Sequence, residues 1–380
     1  MRIINPLADR SQLRKPPVIL LHGAHVDTSC YITSSSIQHH PEKYPRTEAD
    51  GPITSSSRSL AFALANNGYD VFLVGTRGSN KKNMYYTMHP NRKYSLNFRP
   101  SPLQSTYAKI KRDKYFQYGQ DDIIENELGP QIDVVRRVTK QKEFIYFSYS
   151  ISTPYTLAFL AQNPDYARDV RLYVQMAPTI AASHKGDAFS KAFWELAVPA
   201  EPTRGAGFTA TYSLEPLAKS IVGATSKSEA LRYSLVLQFL NLLFGHSPKY
   251  QTFLERNTLS RIFMPHSFKL VQQYGQNSAS KTLTKFDYGK KENMKIYNQP
   301  TPPVYNVSRM EVQNYAIVSG TVDALANPET VERQIARTST PTPVRTIVGE
   351  QYNHFDLIAG VEVDKVINLP LIEMFNELTN

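Results

Sequence analysis

Three residues far apart in this 380-residue chain have the types that acyl transfer needs: Ser150, Asp323 and His354. A serine hydroxyl becomes a nucleophile only when its oxygen is exposed beside a base, and a histidine serves as that base once a carboxylate fixes its tautomer. Ser150 lies in 144–153 (FIYFSYSIST), where an apolar run gives way to small residues and a helix is expected to follow. A sharp strand-to-helix turn is where such a hydroxyl gains exposure, and the usual pattern at that turn is G-x-S-x-G because its flanking positions pack against backbone. Here Ser148 and Ser152 replace both glycines. Serine is small enough to leave the turn open, but S-x-S-x-S alone reads more readily as a surface turn, so the partners must decide.

The base is offered by 349–356 (GEQYNHFD) and the acid by 318–325 (VSGTVDAL), which follows the apolar stretch 315–318. The chain order is therefore nucleophile, acid, histidine, each on a loop expected to leave the C-terminal end of a strand. His354 would take the Ser150 proton and later return it to a leaving alcohol, while Asp323 would orient the imidazole and stabilise its charged form. Of the nine histidines, the other eight (22, 25, 39, 40, 89, 184, 246 and 266) have no such setting. Asp356 is nearer to His354 in sequence, but from two residues along a short loop it would hardly reach the ring nitrogen that faces away from Ser150. Near the N-terminus, 17–24 (PVILLHGA) reads as a buried strand entering a turn. Backbone N–H groups at such a turn can stabilise the negative charge of a tetrahedral intermediate. Those of Ala24 and Ile151 are assigned to this oxyanion hole, and His22 is given a structural role.

Strand-like and helix-like stretches alternate around these residues. Strands are expected near 71–73, 144–147 and 172–176, a helix over 121–139, and a return to strand near Tyr315. That alternation predicts an α/β fold with a mostly parallel sheet flanked by helices. Between 183 and 300 the character changes, with the single tryptophan, Trp194, and the apolar run 235–244 (LVLQFLNLLF). One core of 1–182 and 301–380 with an inserted cap and lid of 183–300 fits the length better than two unrelated domains. The apolar run serves either packing within the cap or a lid face that meets lipid.

The formal charge is +10, but the basic residues are scattered and no recognition motif accompanies them, so nucleic acid is not an expected partner. A solvated surface explains the charge first, and attraction to an anionic lipid or micelle surface second. Cys30 is the only cysteine, which excludes an intramolecular disulfide. Histidine and cysteine spacing supports no metal, no cofactor is called for, and no stretch is long enough to span a membrane.

Taken together the chain resembles the acid lipase family of α/β-hydrolases, the group of gastric and lysosomal acid lipases. The resemblance rests on 59–73 (SLAFALANNGYDVFL), 76–80 (TRGSN), 286–289 (FDYG) with Asn293 and Tyr297, 301–305 (TPPVY), and above all 352–356 (YNHFD). It implies nucleophile, acid and base at Ser150, Asp323 and His354, oxyanion donors at Ala24 and Ile151, and a triacylglycerol or sterol ester substrate met at a lipid–water interface. The family has G-H-S-Q-G where this chain has SYSIS at 148–152, and 31–57 is longer and more polar than the family's connection there. Two alternatives stand beside a lipase: an esterase for smaller substrates, and a catalytically silent lipid-binding relative whose altered turn no longer activates serine. The family is secreted or lysosomal. Met1 to Pro6 is not a signal peptide, Arg2 and Ile3 match the end of the family's leading region, and a truncated start is therefore expected. The sequence holds one glycosylation sequon, at Asn306.

Overall fold

Residues 1–4, 15–23, 28–32, 58–79, 115–179, 211–212, 235, 238, 241–242, 244–247, 266–327, 331, 343, 345–360 and 362–379 are described by a computed structural model. Their elements in chain order begin with β1 (Arg2–Ile3), β2 (Val18–Leu21), α1 (Leu60–Asn66), β3 (Val71–Val74), α2 (Gln120–Asn126) and α3 (Leu128–Thr139). Next come β4 (Phe144–Tyr149), α4 (Ser152–Gln162), α5 (Pro164–Ala167), β5 (Val170–Met176), β6 (Thr211–Tyr212) and β7 (His266–Ser267). The chain closes with α6 (Phe268–Ser280), α7 (Lys290–Tyr297), β8 (Tyr315–Gly320), β9 (Arg345–Gly349), α8 (Asp356–Ala359) and α9 (Leu369–Thr379).

Seven strands form one sheet in the order β1-β3-β2-β4-β5-β8-β9, parallel throughout except for the antiparallel edge strand β1. A parallel sheet needs cover on both faces, and its strands then read as unbroken apolar runs. Successive side chains divide accordingly. Val18, Leu20, Ile145, Phe147, Leu172 and Val174 join one buried cluster with α1 and α9, while Ile19, Leu21, Tyr146, Tyr173 and Ile317 join a second with α2, α3 and α4.

The strands fall where the sequence places them, with β4 running two residues further, to the threshold of Ser150. The helix expected over 121–139 is instead two, broken at Glu127. Pro130 accounts for the break: its ring would clash with the carbonyl four residues earlier and it has no N–H to donate, so it is tolerated only in the first turn of a new helix. Glu127 is used at the break, where its carboxylate accepts from the backbone N–H and the guanidinium of Arg77, both at 2.9 Å. Burial raises the Glu127 pKa, and the bonds from Arg77 oppose that rise.

Part of the region between β5 and β8 packs onto this core. Leu270 and Tyr274 of α6 belong to the second cluster, and Gln273 accepts from the N–H of Gln120 while donating to Asp121. The 286–289 stretch and Asn293 form one polar turn, with the Asp287 carboxylate accepting from Gly289 N–H and from the Asn293 amide. Trp194 and most of 31–57 lie outside the described residues. Among the described residues no helix is long and apolar enough to cross a membrane.

Candidate active site

β4 sits between β2 and β5 near the middle of the sheet and ends at Tyr149. Ser150 then adopts φ 60°, a left-handed conformation that L residues rarely take, and α4 begins two residues later. Such a residue persists only where its surroundings over-determine it. The ladder does so from one side, the N–H of Ser150 donating to the Met176 carbonyl (2.9 Å), and the Thr153 N–H closes the turn onto the Ser150 carbonyl (2.9 Å).

The two serines that replace glycine are both bonded. Ser148 Oγ lies 2.8 Å from the Tyr173 hydroxyl, which is 3.1 Å from the Thr153 carbonyl on the far side of the turn. Burial pushes the Tyr173 phenol far above its ordinary pKa, so it stays neutral at that post. Ser152 Oγ accepts from the Tyr149 N–H (2.8 Å) and can donate to the Tyr149 carbonyl (2.8 Å). A glycine could do neither. Ser152→Ala should therefore remove the side-chain bonds that tie the turn to Tyr149 and lower stability by about 0.5–1.5 kcal/mol. Urea denaturation checks this, and an unchanged midpoint would show that the Ser152 hydroxyl does not hold the turn.

Asp323 follows β8 and His354 follows β9, on neighbouring loops tied by backbone bonds from Thr321 N–H to the Gly349 carbonyl and from Val322 N–H to the Tyr352 carbonyl, both 3.2 Å. One row of bonds joins the three residues. His354 Nε2 is 2.7 Å from Ser150 Oγ, and His354 Nδ1 is 2.8 Å from Asp323 Oδ2. The other carboxylate oxygen of Asp323 accepts the N–H groups of Leu325 and Ala326, each at 2.8 Å. Ser150 is 7% exposed, and Asp323 and His354 are 2% exposed. In so dry a place an imidazolium formed on proton transfer depends on the facing carboxylate for stabilisation. The Asp356 carboxylate accepts from the Asn353 N–H (3.0 Å) and steadies the histidine loop.

Of the proposed oxyanion donors, Ile151 stands directly after Ser150 at the start of α4. Ala24 lies outside the described residues. Its neighbour Gly23 comes so near the turn that a Cβ there would stand 3.0 Å from that of Ser150. His22 is fully buried, its Nδ1 2.7 Å from the Gly23 carbonyl and its Nε2 accepting from Thr76 N–H (3.4 Å), which ties β2 to the loop after β3.

Two residues in contact with the imidazole escaped the sequence reading. Tyr149 and Phe244 both stack on the His354 ring. Nothing in an apolar run such as 235–244 marks one member of it as a neighbour of the histidine.

A mostly parallel sheet carrying serine, acid and histidine in this order after its strands defines an α/β-hydrolase. A soluble variant of monoglyceride lipase from Saccharomyces cerevisiae shares the fold, with a TM-score of 0.51 at 13% identity over 96% of this chain and 88% of that one. Within that class the chain is acid lipase-like. It is 25% identical to human Lipase member K over 373 residues, covering 96% of this chain and 80% of the relative. It is likewise 25% identical to the gastric triacylglycerol lipase of Bos taurus over 342 residues, covering 85% and 73%. No protein-family model matches the chain. Lipase relatives together with the fold support a hydrolase of the lipase or esterase kind.

Proposed function

We propose that the protein is a carboxylester hydrolase that cleaves neutral lipid esters through an acyl-enzyme on Ser150. The observation that carries this reading is the row from Ser150 Oγ through His354 to Asp323, at 2.7 and 2.8 Å. In the first half-reaction His354 Nε2 takes the Ser150 proton as Oγ bonds to the ester carbonyl carbon, and the imidazolium then gives that proton to the departing alcohol. In the second, water attacks the acyl-enzyme, His354 takes its proton and returns it to Ser150 Oγ, and the fatty acid leaves. Asp323 holds the Nδ1 proton throughout. The N–H groups of Ile151 and Ala24 receive the oxyanion, Ile151 at the start of α4, where the helix favours negative charge.

The substrate class follows from likeness to proteins named as lipases, one of them a triacylglycerol lipase. Triacylglycerol or sterol ester presented at a lipid–water interface is the class assigned, with 183–300 as cap and lid over a core of 1–182 and 301–380. Secretion or a lysosomal location belongs to the same reading.

A fluorophosphonate probe, which bonds rapidly only to an activated serine, tests the proposal. The wild type is expected to label and Ser150→Ala to stay blank, with His354→Ala labelling far more slowly. Hydrolysis of long-chain against short-chain esters then separates a lipase from an esterase for small substrates. A folded wild type that fails to label would mean that the serine-for-glycine turn leaves Ser150 unactivated, and lipid binding without turnover would replace hydrolysis as the function.

A further inference from the structure

The His354 imidazole is stacked by two aromatic rings of different origin. Tyr149 comes from the end of β4, with ring centres 5.2 Å apart and planes 30° apart, and its hydroxyl donates to the His354 carbonyl at 2.9 Å. Phe244 comes from the long connection between β5 and β8, with centres 5.7 Å apart and planes only 15° apart, and it stacks on Phe355 as well. The backbone of Phe244 reaches both catalytic loops at once. Its carbonyl accepts the N–H of Ala324, next to the acid, at 3.1 Å, and the N–H of His354 itself at 3.3 Å.

The residues that follow add to the clamp. The Gly245 carbonyl accepts from the Asn353 side-chain amide, and Ser247 Oγ donates to the Gln351 carbonyl, both at 2.8 Å. Gly245 has φ 106°, and a Cβ on it would collide with the Val322 carbonyl oxygen, so the segment is seated with its backbone against the acid loop. A segment that only covered the site would not need to share main-chain bonds with residues on both sides of the Asp323–His354 pair.

We infer that Phe244 is a positioning residue for the base. Its carbonyl fixes the spacing of the Asp323 and His354 loops, and its ring lies along the imidazole so that Nε2 stays aimed at Ser150 as the ring becomes cationic. An aromatic face beside a cation attracts it, and more so away from water. The inserted region would then support the proton transfer directly as well as cover the site. This inference rests on the proposed role of His354 as general base.

The test compares Phe244→Leu, which removes the aromatic face, with Phe244→Tyr, which keeps it. Turnover of a soluble p-nitrophenyl ester and the low-field proton resonance of His354 Nδ1 are both measured. Phe244→Leu should lower kcat by about tenfold, with the Nδ1 resonance shifted or broadened and KM within about twofold of wild type. Phe244→Tyr should return kcat to within about threefold and restore the resonance. A Leu variant with wild-type kcat overturns the inference. So does a loss confined to KM with an unchanged resonance, which would make Phe244 a wall of the substrate cavity. If Phe244→Leu does not fold, Phe244→Met bears the same comparison. A wild type that does not label with fluorophosphonate removes the enzyme reading instead, and the resonance comparison still decides whether Phe244 holds the ring.

Discussion

Asp323→Asn is expected to lower ester hydrolysis by about four orders of magnitude while leaving the fold intact, because the substitution reverses a tautomer rather than a shape. The two oxygens of Asp323 have different neighbours. Oδ1 receives the N–H groups of Leu325 and Ala326, and Oδ2 faces His354 Nδ1. An asparagine must keep its carbonyl oxygen toward the two N–H donors, since turning the amide would set N–H against N–H in a buried place at the full cost of desolvation. Its NH2 group then faces Nδ1, which has to accept, so the ring proton moves to Nε2. An Nε2 that already carries a proton cannot take one from Ser150. Rates on a soluble ester, with a melting curve to check the fold, measure the effect. A loss smaller than tenfold would show that Asp323 is not the group that orients His354.

Gly320→Ala is expected to cost about a hundredfold or more in kcat/KM and about 2–4 kcal/mol of stability, although the residue contacts no substrate in the proposed mechanism. Gly320 ends β8, three residues before Asp323, and pairs with Gly349 at the end of β9. A Cβ on Gly320 would collide with the Tyr352 carbonyl oxygen, two residues before His354. Neither atom can yield cheaply, for both belong to main chain, and the Tyr352 carbonyl is also the acceptor for Val322 N–H. Relief would come from parting the two loops, which lengthens the 2.8 Å bond between Asp323 and His354. Val348→Ala on β9 serves as the control. Val348 is 49% exposed, and a surface change of this kind should stay within about 0.5 kcal/mol. Comparable activity in Gly320→Ala and Val348→Ala would show that the loops tolerate separation and that their close approach is incidental.

These two results would also bear on the altered turn. If Asp323→Asn abolishes an activity that the wild type has, the bonded Ser148 and Ser152 form a working turn. The hydroxyl partners explain how serine can occupy both positions: the Tyr173 phenol takes one side chain and the Tyr149 main chain the other. Turn geometry would then be held by hydrogen bonds where the usual pattern relies on the absence of a side chain.

Much of this was legible in the chain. Apolar runs of four to seven residues bounded by proline, glycine and small polar residues mark β2, β3, β4, β5 and β8, because a parallel sheet buried on both faces demands such runs. Their alternation with helical stretches fixed the fold class, and the order Ser150, Asp323, His354 selected the candidate residues among several serines, acids and histidines. A composition of short-range signals suffices for these, since strand, turn and helix starts are each decided within a few residues. The helix expected over 121–139 lay across Pro130, where a local rule for the break was available.

Tertiary structure alone decided the rest. That Asp323 stands within hydrogen-bond reach of Nδ1 depends on β8 and β9 being neighbours. The hydroxyl partner of Ser148 depends on β5 lying beside β4. Phe244 meets His354 only because a segment between β5 and β8 returns to bind both loops. Sequence specifies what each residue can do over the reach of a turn, whereas packing specifies distances between segments that lie from 25 to 204 residues apart. Acyl transfer needs both, because a nucleophile, a base and an acid have no joint chemistry until they stand within hydrogen-bond reach of one another.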